Sequence, residues 1–297
     1  GINYSVYTQF DHKVGDFNIS TGARYEIFDL DTIRIAKPVF RGGLNYEVFK
    51  GLNLRTSYGQ GFRFPSIAEM FMQGEIGPIN LYSNPNLQAE SGWTSELGVK
   101  KAFTFSKWKG YVDLVGFLME YNNMMEFTFG AWGPNTDPMF GLGFRSVNVG
   151  KTRISGLEFT FNGEGSINEH WGVGILSGVN LSNPTSLYPD SVFALSSSGV
   201  EYTFNNTSSD TSGHFLKYRS RKSARLDIEF SYKKKIMIGL SYQYNSKMNN
   251  IDWVFISQVF NTIDGNAAIG YDLGINNSMK KFNRGYHLMD FRIRIKL

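Results

Sequence analysis

The sequence predicts an all-β chain: an antiparallel transmembrane β-barrel with about eleven strands, roughly half of a plugged barrel of about twenty-two. Three observations predict it. Apolar and polar residues alternate with a two-residue period along most segments, as in strands with one apolar face. The links between these segments alternate short and long, as the periplasmic turns and external loops of such barrels do. Aromatic residues reach 15% and glycines number 32, yet no run of about 18 apolar residues appears, so the chain has no candidate spanning helix.

The elements follow in order. Residues 2–11 alternate, with Ile2, Tyr4, Val6, Thr8 and Phe10 on the apolar face and Asn3, Ser5, Tyr7 and Gln9 on the other. A hairpin turn at 12–15 carries Gly15, where positive φ is expected. Residues 16–28 form the second strand, 29–37 a modest loop and 38–48 the third strand. The turn Lys50–Gly51 leads into the fourth, where Leu52, Leu54, Thr56, Tyr58 and Phe62 oppose Asn53, Arg55, Ser57, Gly59, Gly61 and Arg63. Pro65 ends it, since proline cannot donate to a ladder. A long loop, 63–92, precedes strand 93–105, a tight turn at 106–110 and a long strand over 111–129. The loop 130–141 is rich in Gly, Pro and Asn; strand 144–162 follows, with a bulge expected at Gly150. Strand 171–181, a polar loop at 182–221, strands 222–232 and 236–245, and a loop at 246–283 lead to the last strand. There Phe291, Ile293, Ile295 and Leu297 oppose Asp290, Arg292, Arg294 and Lys296. Alternation alone also fits a soluble sandwich.

Three motifs separate these readings. Residues 57–66 read SYGQGFRFPS, followed by Glu69; residues 84–87 read NPNL, followed by Glu90; residues 148–159 read NVGKTRISGLEF. Their order and spacing closely resemble the C-terminal barrel half of TonB-dependent outer-membrane receptors, and the siderophore-receptor branch most. The Asn- and Lys-rich loops resemble Bacteroidetes proteins in composition. The resemblance implies that residues 1–297 are the C-terminal part of a transmembrane barrel in the outer membrane of a Gram-negative bacterium. A plug domain and a first barrel half would lie upstream, and the start at Gly1 without methionine or signal peptide fits a processed or partial chain.

The implied function is import of a scarce, bulky nutrient, first a ferric siderophore or haem. Cobalamin, oligosaccharide or peptide import is the runner-up; a passive porin or adhesive barrel is the alternative of another class. Implied partners are the missing plug and barrel half, the TonB complex reached through the N-terminal region, outer-membrane lipids, an iron-chelate or other small ligand, and a surface lipoprotein. In a lipid setting, Tyr25, Tyr46, Tyr58, Trp93, Tyr242, Tyr244 and Tyr271 are expected to form aromatic girdles.

Site residues follow from the loops, because loops on a rigid scaffold carry binding residues disproportionately. Phe64, Met70, Phe71, Met72 and Tyr82, with Trp132 and Phe140, are the candidate ligand-binding residues. Arg63 and Glu158 occupy motif positions on the polar face and are expected to touch the plug or a wall charge network.

Composition bears on other classes. There are no cysteines, which excludes disulfides and thiol chemistry. The net charge of +4 is mild, and the one basic cluster, 217–225, lacks the setting of a nucleic-acid site. His12, His170, His214 and His287 lie far apart without metal-ligand spacing. Asp190, Glu201 and Asp210 are scattered loop carboxylates. No GxSxG elbow supports a hydrolase, so no catalytic residues, enzyme activity or cofactor are expected.

Overall fold

Alternation resolves into one antiparallel sheet whose two faces differ sharply. The computed structural model describes residues 2–30, 33–76, 79–233, 235–256 and 275–296. Its strands are β1 (Ile2–Val14), β2 (Phe17–Leu30), β3 (Ile33–Phe49), β4 (Leu52–Arg63), β5 (Gly74–Ile76), β6 (Ile79–Tyr82), β7 (Glu90–Phe105), β8 (Trp108–Asn122) and β9 (Met125–Ala131). They continue as β10 (Leu142–Asn148), β11 (Thr152–Ser166), β12 (Trp171–Ser186), β13 (Val192–Leu195), β14 (Glu201–Thr203), β15 (Lys222–Tyr232), β16 (Ile236–Asn245) and β17 (Tyr286–Ile295). Eleven of these pair in the order β1-β2-β3-β4-β7-β8-β11-β12-β15-β16-β17.

Register fixes the faces. Leu54 pairs with Val99, Val99 with Leu114, and Leu114 with Phe159. These side chains and Leu97, Leu157 and Tyr58 are exposed. The opposite face carries Arg55 on Asp113 at 2.9 Å, Asn180 on Glu158 at 2.7 Å, and Arg225 on Asp227 at 2.6 Å. An apolar face open to its surroundings beside a charged, hydrogen-bonded face is the division between lipid and lumen. Phe17 stacks on Tyr46 and Tyr58 on Trp93, on the apolar face. Tyr271 and Leu297 lie outside the described residues.

Sheet edges fall at β1 and β17. Unpaired edges cannot sit in hydrocarbon, so both require partner strands.

The short links leave one end of the sheet, at Gly15, Lys50–Gly51 and the turns after Phe105, Ser166 and Tyr232. Long segments leave the other end after β4, β8, β12 and β16, and they fold together. β5, β6, β10 and β9 make a second sheet, and β13 and β14 a third. Three buried apolar clusters lie here, around Trp132 and Phe204, around Phe129 and Phe255, and around Met70 and Leu87. The hydrophobic core is therefore chiefly in this cap. The barrel wall needs none, because lipid solvates its apolar face.

Several expected boundaries move. The loop expected at 29–37 is mostly strand, since β2 pairs to Leu30 and β3 from Ile33. The long strand expected over 111–129 is two strands, broken at Asn123 with φ of +55°. The strand expected over 144–162 is likewise two, broken at Gly150 with φ of +93°. Gly150 is thus no bulge. Between these two breaks β9 and β10 leave the wall as an antiparallel hairpin with its own sheet. Both halves carry apolar runs, and periodicity cannot register a change of sheet.

Candidate functional site

The three sequence motifs meet at the base of the cap. Pro65 and Ser66 stop β4 and start helix α1 (Ile67–Phe71), with Ser66 and Glu69 forming a capping box. Arg63 donates to both oxygens of Glu69, at 2.9 and 2.8 Å, and to Glu90 at 2.9 Å. Glu90 also accepts the backbone N–H of Met125. Asn84 takes the Met70 carbonyl through its backbone and the Ser146 carbonyl through its side chain. Asn148 donates to the Gln88 and Asn123 carbonyls. Burial pushes the Glu69 carboxyl up, but the bonds from Arg63 and Ser66 outweigh it and hold it below the usual carboxylate range. Arg63 thus anchors the cap from the polar face. Glu158 sits further down that face and accepts from Asn180.

Above this base lies an open cavity of about 410 Å³ lined by Gln73, Glu75, Asn80, Tyr82, Trp132 and Arg145. β6 pairs parallel to β10, which sets Tyr82 beside Arg145. Trp132 is held by its own Nε1–H to the Thr128 carbonyl at 3.1 Å and by an edge contact with Tyr202. The Arg145 guanidinium stands over the Trp132 ring at 5.6 Å, a cation–π distance. It donates to the Ser83 carbonyl and Asn84 Oδ1, both neutral. No ion pair of Arg145 occurs among the described residues, and burial pushes its pKa down. Tyr82 donates to Asp137 at 3.0 Å, and burial together with that carboxylate pushes its phenol up to about 12. A cation without counter-ion, between an indole and a neutral phenol, suits an anion carried on a flat or aromatic body.

The expected ligand residues therefore divide. Tyr82 and Trp132 come together at this cavity. Met70 is wholly buried and Phe64 nearly so, packed with Leu87 and Met125. Phe71, Met72 and Phe140 are exposed and do not line this cavity. Arg145 was not among the expected residues; its signal was a lone charge in the apolar run 140–149.

A second polar group lies deeper. Lys217 Nζ is 2.7 Å from Asp252 and 3.8 Å from Glu126, all three buried. Tyr218 donates to Asp252 at 2.8 Å, and burial pushes its phenol far up. Burial likewise pushes the Glu126 carboxyl up. This cluster joins β9 to the segments before β15 and after β16. Among the described residues, no group of three His, Asp or Glu is placed to hold a metal ion.

A family profile described as "TonB dependent receptor-like, beta-barrel" matches residues 2–297. The chain belongs to this family of outer-membrane receptors. Among solved structures, the siderophore receptor PiuA from Acinetobacter baumannii superposes with a TM-score of 0.57 at 14% identity, over 99% of this chain and 37% of that one. The iron transporter FrpB from Neisseria meningitidis gives 0.56 at 13%, over 99% and 38%. These likenesses establish the barrel fold. By sequence, the probable haemoglobin and haemoglobin-haptoglobin-binding protein 1 of Haemophilus influenzae is 32% identical over 87 residues, 29% of this chain and 8% of that protein. A haemoglobin and haemoglobin-haptoglobin-binding protein of Haemophilus ducreyi is 27% identical over 148 residues, 48% of this chain and 14% of that protein. The TonB-dependent receptor barrel thus accounts for the sheet, its faces and its cap, while the chain spans only a small part of these relatives.

Proposed function

We propose that this chain is the C-terminal half of the barrel of a TonB-dependent importer of an anionic iron complex, with haem first and a ferric siderophore second. The observation that carries the reading is Arg145, a half-buried guanidinium without a carboxylate partner beside Tyr82 and Trp132. Haem presents carboxylates on a flat aromatic body, and a catecholate siderophore presents anionic aromatic oxygens; both suit that trio. The haemoglobin-binding relatives support the first choice, and the siderophore and iron receptors of like fold support the second. The unpaired edges β1 and β17 support a remaining barrel half that pairs with both, in a multi-pass protein of a Gram-negative outer membrane. Import then rests on a plug whose states the ligand binds unequally, coupled to TonB. A packed cap with three apolar cores disfavours the porin reading, which wants an open polar constriction.

The test is binding by the full-length receptor in detergent, with haem, haemoglobin and a ferric catecholate titrated separately. Saturable binding of one of them, weakened about tenfold or more by Arg145→Gln, is expected. Binding of none, or an Arg145→Gln variant with unchanged affinity, overturns the reading.

A further inference from the structure

The buried group of Lys217, Asp252, Glu126 and Tyr218 takes no part in the cavity at Arg145. Lys217 and Asp252 lie 35 residues apart in the chain, yet their side chains touch and each is only 2% exposed. Apolar clusters close around them. Leu216, beside Lys217, belongs to one, and Ile251 and Phe255, near Asp252, belong to another. Two charges taken out of water in this way lose their hydration and must be compensated within the site.

The backbone holds the two segments in fixed register. Ser208 bridges to Asp252, and the Tyr218 N–H donates to the Asn250 carbonyl at 2.8 Å. Lys217 Nζ meets Asp252 Oδ1 at 2.7 Å and Thr207 Oγ1 at 3.5 Å. The Tyr218 hydroxyl donates to the other carboxylate oxygen, Oδ2, at 2.8 Å and accepts the Asp252 N–H at 3.2 Å. Glu126 stands 3.8 Å from Nζ, and neither of its oxygens has a hydrogen-bond partner. Burial pushes its carboxyl up, which favours the protonated form. An amine and a carboxyl held in contact, with a proton carrier beside them, are the reactants of an amide, and fixing them so replaces an encounter in solution.

We propose that the folded chain joins Lys217 to Asp252 through an amide bond, with Glu126 as the proton carrier. The proton in the Lys217–Asp252 hydrogen bond passes to Oδ1, leaving a neutral amine and a carboxylic acid. The Nζ lone pair attacks Cγ and forms the C–N bond, while Tyr218 steadies the charge that develops on Oδ2. Glu126 gives its proton to the Oδ1 hydroxyl and takes one from Nζ. The Cγ–Oδ1 bond breaks, one water leaves, and Oδ2 remains as the amide oxygen. Nothing is oxidised or reduced, and no co-reactant is consumed. The bond ties the segment before β15 to the one after β16, in a chain that has no cysteines for a disulfide. It stands whichever nutrient the receptor carries.

The experiment is peptide mapping of the full-length receptor by mass spectrometry. Denatured, unjoined protein is refolded in detergent, sampled over time, boiled in detergent to break every non-covalent contact, and digested. The expected result is a branched peptide that carries both Lys217 and Asp252 and is lighter than its two arms by one water. Lys217→Arg keeps the charge and should give linear peptides only. Glu126→Gln should join about a hundredfold more slowly. Heat-resistant migration on gels verifies that each variant barrel has folded. Linear peptides alone from the folded wild type, a loss of water that persists in Lys217→Arg, or a folded Glu126→Gln variant that joins at the wild-type rate overturns the proposal.

Discussion

Arg63 Nη1 lies 2.9 and 2.8 Å from the two carboxylate oxygens of Glu69, six residues ahead in the chain. Between them the chain turns from wall to cap, and the same guanidinium reaches Glu90 at the start of the returning strand. One side chain therefore sets both ends of the loop 64–89. Arg63→Gln is expected to loosen the loop base by about 1 kcal/mol, since the pair is half-exposed and screened. Limited proteolysis within 64–89 should speed up about fivefold; unchanged cleavage would remove Arg63 from this role.

The same clasp gives a pH dependence. The folded Glu69 carboxyl is held below its ordinary value. A depressed carboxyl contributes stability that is present above its unfolded pKa, about 4.3, and lost as pH falls through the folded one. Cleavage of the loop should be flat above that range and rise in acid, with the rise absent in Glu69→Gln.

Arg145 and Trp132 share the cavity but should fail differently. Trp132 is buried in an apolar cluster, so Trp132→Ala is expected to cost about 3–5 kcal/mol of cap stability. Arg145→Gln removes a desolvated charge with only neutral partners, and should leave stability near wild type while weakening ligand about tenfold. Hydrogen exchange of β9 and β10, beside a ligand titration, separates the two outcomes.

Lys217 meets two buried carboxylates, those of Asp252 and Glu126. Lys217→Met strands Asp252 and is expected to cost about 3–5 kcal/mol. In freshly refolded protein, before Lys217 and Asp252 are joined, Glu126→Gln should act the other way. The Glu126 pKa is raised, so its contribution is fully present below the unfolded value and fades as pH rises through the folded one. Wild type and Glu126→Gln caps should match in acid, and the variant should be the more protected at alkaline pH. A difference of opposite sign would show that Lys217 outweighs burial.

Gly143 leaves no room for a side chain. A Cβ there would overlap the Asn80 carbonyl oxygen across the parallel pairing of β10 and β6. Gly143→Ala is expected to part these strands at a cost of roughly 1–3 kcal/mol, moving Tyr82 away from Arg145. Tyrosine fluorescence of the cap and ligand affinity should fall together.

The wall was legible because each strand carries its own record. Residues 222–232 and 236–245 alternate without interruption, and the strands occupy those bounds. Face assignment was equally local: Arg63 and Glu158 fall on the polar face because side-chain direction repeats every two residues. The motifs were legible as signatures, but their work was not. That Asn84, Glu90 and Asn148 converge on one base depends on contacts across 60 residues of chain, such as Asn148 to Gln88.

What the sequence by itself determined is the barrel wall: its eleven paired strands, their faces, and which end bears loops. Period-two patterning against lipid is a one-dimensional property of each segment. Tertiary structure alone decided the cap. The stretches 111–129 and 144–162 look continuous in sequence, yet each breaks where Asn123 and Gly150 take positive φ. The freed hairpin then buries its apolar residues against three distant loops. Only that packing puts Arg145 beside Tyr82 and Trp132, because burial and charge compensation depend on neighbours the local pattern cannot name.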